Sequence, residues 1–280
     1  MILLQKVSEL RQWRQTAGRV ILVPTMGALH EGHGALIQEA RRLAGNRAQV
    51  AVTIFVNPLQ FGPGEDFDRY PRTLEADLAI GESCGADMVF APQVSEVYAL
   101  NRSIQVLENQ LSRVLCGASR PGHFDGVCTV VAKLFNLTQP DEAVFGKKDY
   151  QQLAIIRRLV RDLNFPIVIH GVETVREPDG LAMSSRNRYL NPKERSQAPA
   201  LRQALLLAHE SWHHGQHNSQ ILLRIAREFL KTHALQGRED YLCLVDREEL
   251  EPQTQAGPNS LMAVAWWFGK TRLIDNLEFT

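Results

Sequence analysis

His30 and His33 lie in the stretch Val-Pro-Thr-Met-Gly-Ala-Leu-His-Glu-Gly-His at residues 23–33. The apolar run Val20–Val23 precedes them and stops at Pro24; the helix-like run Ala35–Arg41 follows. That order reads as strand, glycine turn and helix start. In an open parallel sheet, ligands bind at the carboxyl ends of the strands. A helix start there offers unpaired N–H groups and a partial positive charge to phosphate oxygens. Imidazoles at i and i+3 share a helix face. They could bond phosphate oxygens and stabilise charge at a reacting phosphorus. Two other readings compete. His-x-x-His can be a metal pair, although the usual helical pair is i, i+4 with a glutamate base. Either ring could also serve a structural or capping role.

Further clusters share the predicted carboxyl edge. Asn57-Pro58-Leu59-Gln60-Phe61-Gly62 follows an apolar run at 50–56. The amides of Asn57 and Gln60 can donate and accept, which suits a hydroxyl or a carboxylate; an ordinary Asn-Pro turn is the alternative. Asp66, Asp68, Glu75 and Asp77 are acidic. Magnesium with ATP usually takes one or two carboxylates, and Asp77 is a candidate, but solvated charge is the plainer reading of each. In Ser119–Gly126, Arg120 and His123 could reach anionic groups or serve as turn residues. In Phe145–Gln152, Gly146 permits close backbone approach and a lysine is a point charge for phosphates. Asp149 could cap a helix or take a ribose hydroxyl, with Gln152 one turn beyond Lys148. A solvated Lys147–Lys148 pair is the alternative. Met183-Ser184-Ser185-Arg186-Asn187 offers two hydroxyls and a guanidinium to phosphate, as a lid would.

The elements that must hold these groups alternate. Residues 20–23, 50–56, 88–91, 143–145 and 167–169 read as strands; 33–45, 72–84, 127–137 and 149–163 read as helices. This predicts an α/β fold, a Rossmann-like doubly wound parallel sheet. Beyond residue 175 the pattern changes to helices at 192–209 and 217–235 and β-like runs at 241–245 and 260–267. Helices followed by strands predict a smaller α+β lid domain. The expected division is 1–175 and 176–280, with a hinge near Arg176–Gly180. The His-rich run Trp212–His217 reads as a polar surface loop between helices.

The chain has 280 residues, zero formal net charge, 44% hydrophobic and 22% charged residues. This composition fits a globular protein with a sizeable core and argues against a dedicated nucleic-acid binder. Cys84, Cys116, Cys128 and Cys243 are too scattered for a zinc site or a disulfide framework, so reduced thiols and a cytoplasmic setting are expected. Met1–Leu4 lacks the pattern of a signal peptide, and no run has membrane-spanning length.

The His-x-Gly-His stretch resembles the signature of adenylyl- and cytidylyl-transferring enzymes with a Rossmann-like domain. Taken together, the clusters resemble the pantoate–β-alanine ligase family. The resembling segments run in order over nearly the whole chain: 23–33, 54–62, Arg69–Thr73, Arg120–Gly126, Phe145–Gln152, Asp179–Asn187 and Thr271–Asn276. The resemblance implies condensation of pantoate with β-alanine through a bound pantoyl adenylate, with ATP as co-substrate alongside Mg2+ and no tightly bound organic cofactor. It also implies a homodimer.

Residue by residue, the resemblance places Met26, Gly27, Ala28, Leu29, His30, Glu31, Gly32 and His33 along ATP, with His33 the main catalytic histidine and His30 beside it. Gly146, Lys147, Lys148 and Asp149 would bind ATP, Lys148 acting at the phosphates and in catalysis. Val175, Met183, Ser184, Ser185 and Arg186 would complete the nucleotide site. Gln60 and Gln152 would hold pantoate, with Asn57 in the substrate site, and Asp77 matches an acidic position near magnesium. The chain departs from the family at Lys147, where glutamate is usual, at Gly34, where a larger apolar residue is usual, and at Ala76, often acidic. The rival readings are a nucleotidylyltransferase without amide formation and a non-catalytic nucleotide sensor.

Overall fold

The computed structural model describes residues 1–280. The chain divides into two compact units, Met1–Lys147 with Ile155–Glu173, and Lys148–Ala154 with Thr174–Thr280. Lys148–Ala154, inside the expected first domain, thus groups with the second unit.

The first unit contains β1 (Ile2–Leu4), α1 (Val7–Arg14), β2 (Arg19–Thr25), α2 (Glu31–Ala44), β3 (Ala48–Ile54), α3 (Leu74–Ser83), β4 (Met88–Phe90), α4 (Val94–Val97), α5 (Leu115–Ser119), α6 (His123–Thr138) and β5 (Glu142–Gly146). After β5 come α7 (Tyr150–Asp162) and β6 (Val168–Val172). The six strands form one parallel sheet in the order β1-β4-β3-β2-β5-β6. Ile21, Leu22 and Val23 in β2 and Val50, Ala51 and Val52 in β3 are fully buried, which is why these strands read as unbroken apolar runs. Each large aliphatic side chain so buried contributes about 1.5–3 kcal/mol. The chain runs from β2 outward to β3 and β4, then returns to β5 on the other side of β2. The switch point therefore lies between β2 and β5, where a doubly wound sheet opens its crevice.

Several elements of this unit differ from the sequence reading, the short helices α4 and α5 among them. The Met1–Leu4 run is an edge strand, with Ile2 opposite Met88 on β4. α1 was not anticipated. α6 begins at His123, four residues before the expected start, so half of the 119–126 turn is helical.

The second unit packs α9 (Ala200–His213) and α10 (Ser219–His233) on an antiparallel sheet of β7 (Gly237–Asp246), β8 (Ser260–Phe268) and β9 (Thr271–Glu278). The core joins Leu201, Leu205, Leu222 and Leu230 of the helices to Met262, Val264 and Phe268 of β8. The expected helix 192–209 is two helices, α8 (Pro192–Gln197) and α9, because Pro199 intervenes and cannot continue the first. The run 212–217 is not a loop throughout. Trp212 and His213 end α9, Trp212 donates from Nε1 to Ala256 O at 3.3 Å, and its ring packs against Phe279.

Candidate active site

The histidine loop links β2 to α2. His30 is the N-cap of α2 rather than a helical residue, and its ring Nδ1 accepts the Gly32 N–H at 3.1 Å. His33, at the third helical position, accepts the His30 N–H on its own Nδ1 at 3.4 Å. The ring centroids are 4.2 Å apart. An imidazole that accepts on Nδ1 carries its proton on Nε2 when neutral. The backbone N–H on each Nδ1 thus favours one tautomer for both neutral rings.

The loop's N–H groups are already engaged. Gly27 donates to Thr25 Oγ1 at 3.2 Å, Ala28 to Asp77 Oδ2 at 3.1 Å and Leu29 to Asp77 Oδ1 at 2.8 Å. The His33 and Gly34 N–H groups both bond His30 O. Together with the Gly32 N–H on His30 Nδ1, most of the N–H groups at this helix start are bonded within the chain. Ala28 stands at φ +50°, a left-handed conformation that costs an L-residue about 1–2 kcal/mol. Asp77 holds it there. Gly27 stands at φ +82°, and a Cβ on it would lie 2.9 Å from Asp77 Oδ2, so this turn requires glycine.

Asp77 lies in the first turn of α3 and is 1% exposed, not a solvated charge. Its Oδ1 also accepts the Thr73 hydroxyl at 3.1 Å. No group of three His, Cys, Asp or Glu side chains is arranged to hold a metal. With both oxygens turned to N–H and hydroxyl donors, Asp77 is suited to fixing the loop and poorly suited to metal ligation.

The second cluster is built on a 3-10 turn, Pro58–Gln60, after β3. Asn57 caps it and is 0% exposed. Its Nδ2 donates to Gln60 Oε1 and Gly126 O, both at 3.0 Å. Its Oδ1 accepts the Leu59 N–H at 3.2 Å and the Tyr98 hydroxyl at 2.9 Å. All four hydrogen-bonding positions of this amide are filled within the chain, two of them by Leu59 and Gln60 of the turn itself. A Cβ on Gly126 would lie 2.2 Å from Leu59 O, so α6 and the turn meet backbone to backbone. Arg120 and His123 also serve the turn. His123 Nδ1 lies 2.7 Å from Gln60 O and Arg120 Nη2 donates to it at 3.2 Å, while Arg120 pairs with Glu65 at 2.6 Å. Burial raises the Glu65 carboxyl, but its bonds to the Arg120 guanidinium outweigh that and hold it below the usual range.

Two departures from the family are accommodated locally. Lys147 forms an ion pair with Glu173, so the extra positive charge is partly neutralised within the first unit. A Cβ on Gly34 would lie 3.1 Å from Cys84 Sγ; the thiol takes the room of a larger side chain. Gly146 ends β5, where an added Cβ would meet only Leu36 at an ordinary 3.8 Å.

The second unit carries Lys148, Asp149, Gln152, Val175 and Met183–Arg186. Lys148 Nζ lies 3.6 Å from Asp149 Oδ2. The Lys148 carbonyl accepts Asn276 Nδ2 at 3.0 Å, and Tyr150 donates to Glu278 Oε1 at 2.8 Å. β9 thus fixes the lysine segment. Asp275, 3% exposed, pairs with Arg176 through bonds of 2.7 and 2.9 Å. These contacts give the Thr271–Asn276 stretch its purpose, which sequence reasoning missed because the partners are far apart in the chain. Val175 and Met183 are brought together: the Met183 N–H bonds Val175 O at 3.0 Å across a short hairpin bridged at Arg176 and Ala182. Ser184 caps the 3-10 turn Ser185–Tyr189, its hydroxyl accepting the Arg186 N–H at 3.3 Å. Met183–Arg186 are half-buried. Glu31, Asp149 and Glu173 are exposed.

The family model for pantoate-beta-alanine ligase matches residues 2–278. The chain is 53% identical to the pantothenate synthetase of Akkermansia muciniphila over 266 residues, 92% of each chain. It is 49% identical to that of Moorella thermoacetica over 281 residues, covering 99% of this chain and 98% of the relative. Among solved structures, the pantothenate synthetase of Thermus thermophilus superposes with TM-score 0.94 at 48% identity, covering 100% of this chain and 99% of that one. The pantoate-beta-alanine ligase of Francisella tularensis, complexed with beta-gamma ATP and beta-alanine, superposes with TM-score 0.81 at 31% identity, covering 100% of this chain and 98% of that one. Matched in sequence and fold from end to end, the chain belongs to the pantoate–beta-alanine ligase family.

Proposed function

We propose that the chain joins pantoate to β-alanine at these residues, with MgATP as co-substrate. The carboxylate of pantoate attacks the α-phosphorus of ATP, the bond from that phosphorus to the bridging oxygen breaks, and pyrophosphate leaves. The β-alanine amine then attacks the acyl carbon of pantoyl adenylate, AMP leaves, and the amine loses a proton. A carboxylate is a poor acyl donor until its oxygen belongs to a good leaving group. Bringing one anion to another calls for positioning and charge stabilisation more than for a covalent nucleophile.

The observation that carries this reading is the favoured tautomer of His30 and His33, each accepting a backbone N–H on Nδ1. In that tautomer their protons sit on Nε2, where they can be donated to phosphate oxygens. His33 stabilises charge as pyrophosphate departs, with His30 beside it; Met26–Leu29, Glu31 and Gly32 shape the loop along ATP. Lys148 acts at the phosphates, Asp149 at the ribose. Gly146, Lys147, Val175 and Met183–Arg186 complete the nucleotide site, and Gln60 and Gln152 hold pantoate. Magnesium bound with ATP would supply charge neutralisation on the phosphates. We further propose a homodimer, as the family resemblance implies, in the cytoplasm, as the four scattered cysteines suggest.

The two half-reactions give the test. Without β-alanine, the protein should exchange labelled pyrophosphate into ATP only when pantoate is present. Exchange independent of pantoate would point to another acceptor, and pantothenate formation without any exchange would remove the adenylate from the scheme.

A further inference from the structure

We infer that Tyr98 is a positioning residue for the acid substrate: acting through Asn57, it holds the Gln60 amide with its NH2 end toward a ligand. This inference rests on the reading of Gln60 as a pantoate contact.

Groups that can only donate or only accept set the direction of every bond in the cluster. A backbone carbonyl accepts, so the atom of Asn57 beside Gly126 O is nitrogen; a backbone N–H donates, so the atom beside Leu59 N is oxygen. These partners fix the amide orientation, which otherwise has to be chosen. Tyr98 then has to donate its hydroxyl proton to Asn57 Oδ1, and Gln60 has to turn Oε1 to Asn57 Nδ2. The remaining end of the Gln60 side chain is Nε2, with two donors. It has no bond to Asn57 and is not among the buried unpaired atoms.

Tyr98 is built for this duty. It follows α4, its N–H bonds Val94 O at 2.8 Å, and it is 7% exposed. Its ring lies against Phe55, with Lys133 Nζ 5.7 Å and the Arg102 guanidinium 5.6 Å from its centre. Burial raises the phenol well above its ordinary range, so the donor proton stays in place at any working pH. The chemical consequence is selectivity. The ligand atom opposite Gln60 has to be an acceptor, as a carboxylate or hydroxyl oxygen is. An analogue presenting a donor there meets a donor.

The test uses the full-length protein with MgATP and β-alanine saturating and pantoate varied. Tyr98→Phe should lower kcat/KM for pantoate about 3–10-fold, the effect of one neutral hydrogen bond, mainly by raising KM. The KM for ATP should not move. In a Gln60→Ala background the same substitution should cost less than about twofold, because residues acting through a shared partner are not additive. Equal losses in both backgrounds, or equal rises in KM for ATP and pantoate, would make Tyr98 merely structural and overturn the inference. A second measurement covers a Gln60→Ala variant too slow to assay. The side-chain NH2 resonance of Gln60, assigned by its loss in that variant, should shift when pantoate is added to wild type. An unmoved resonance overturns the donor assignment. Failure of the wild-type protein to form pantothenate would instead overturn the functional reading beneath it.

Discussion

Asp77→Asn exchanges one carboxylate oxygen for an NH2 group with almost no change of shape. In the native protein that carboxylate accepts the Ala28 and Leu29 N–H groups and the Thr73 hydroxyl at 1% exposure. An amide oxygen can keep Leu29, but its NH2 then meets the Ala28 N–H donor to donor. One charge-assisted bond is lost and one buried N–H is orphaned, a cost of about 2–4 kcal/mol. Ala28 also loses the bond that holds its left-handed conformation. For a chain of this size the melting midpoint should fall by roughly 3–7 °C. The loop ends at His30, so kcat should fall too, by about tenfold or more, since small displacements of catalytic groups are expensive. The assay is thermal unfolding of metal-free protein, paired with pyrophosphate release against magnesium concentration. The positioning role predicts a lower midpoint without any metal and an unchanged magnesium requirement. An unchanged midpoint with a raised magnesium requirement would show that Asp77 is a metal ligand and refute the reasoning.

Gly126→Ala would drive a methyl group into Leu59 O, so the Gln60 turn should shift and the KM for pantoate rise at least tenfold, read by steady-state kinetics. Asp275→Asn breaks the nearly buried pair with Arg176 and should cost about 2–4 kcal/mol by urea unfolding, because an uncompensated guanidinium remains. Glu65 sits below its unfolded pKa of about 4.3, so its contribution to stability is present above that pH and lost as pH falls through the folded value. Midpoints followed downward from pH 6 should therefore fall less steeply in Glu65→Gln than in wild type.

The α/β alternation and the carboxyl-edge placement of the His30 and Gln60 clusters were legible because parallel strands buried on both faces read as apolar runs closed by Pro24 and by Asn57-Pro58. What stayed hidden depends on contacts between distant positions. Nothing local marks Asp77 as the partner of Ala28, or Tyr98 as the donor to Asn57; these pairs lie 49 and 41 residues apart. Asn57 reads as a ligand contact because its type can donate and accept, and only the structure shows those capacities filled within the chain. The edge strand β1 was too short for periodicity, and it forms because β4 offers a free side. Lys147 reads in the sequence as added charge beside Lys148, and its ion-pair partner Glu173 lies 26 residues on.

The central claim is that an adenylate forms under the histidine loop and is consumed by an amine. The most direct measurement is pyrophosphate release with MgATP and pantoate, with and without β-alanine, beside a His33→Ala control. Sustained release of pyrophosphate and AMP is predicted only with both substrates, falling by about 10²-fold or more in the control. Many turnovers with pantoate alone, or a His33→Ala rate equal to wild type, would contradict it.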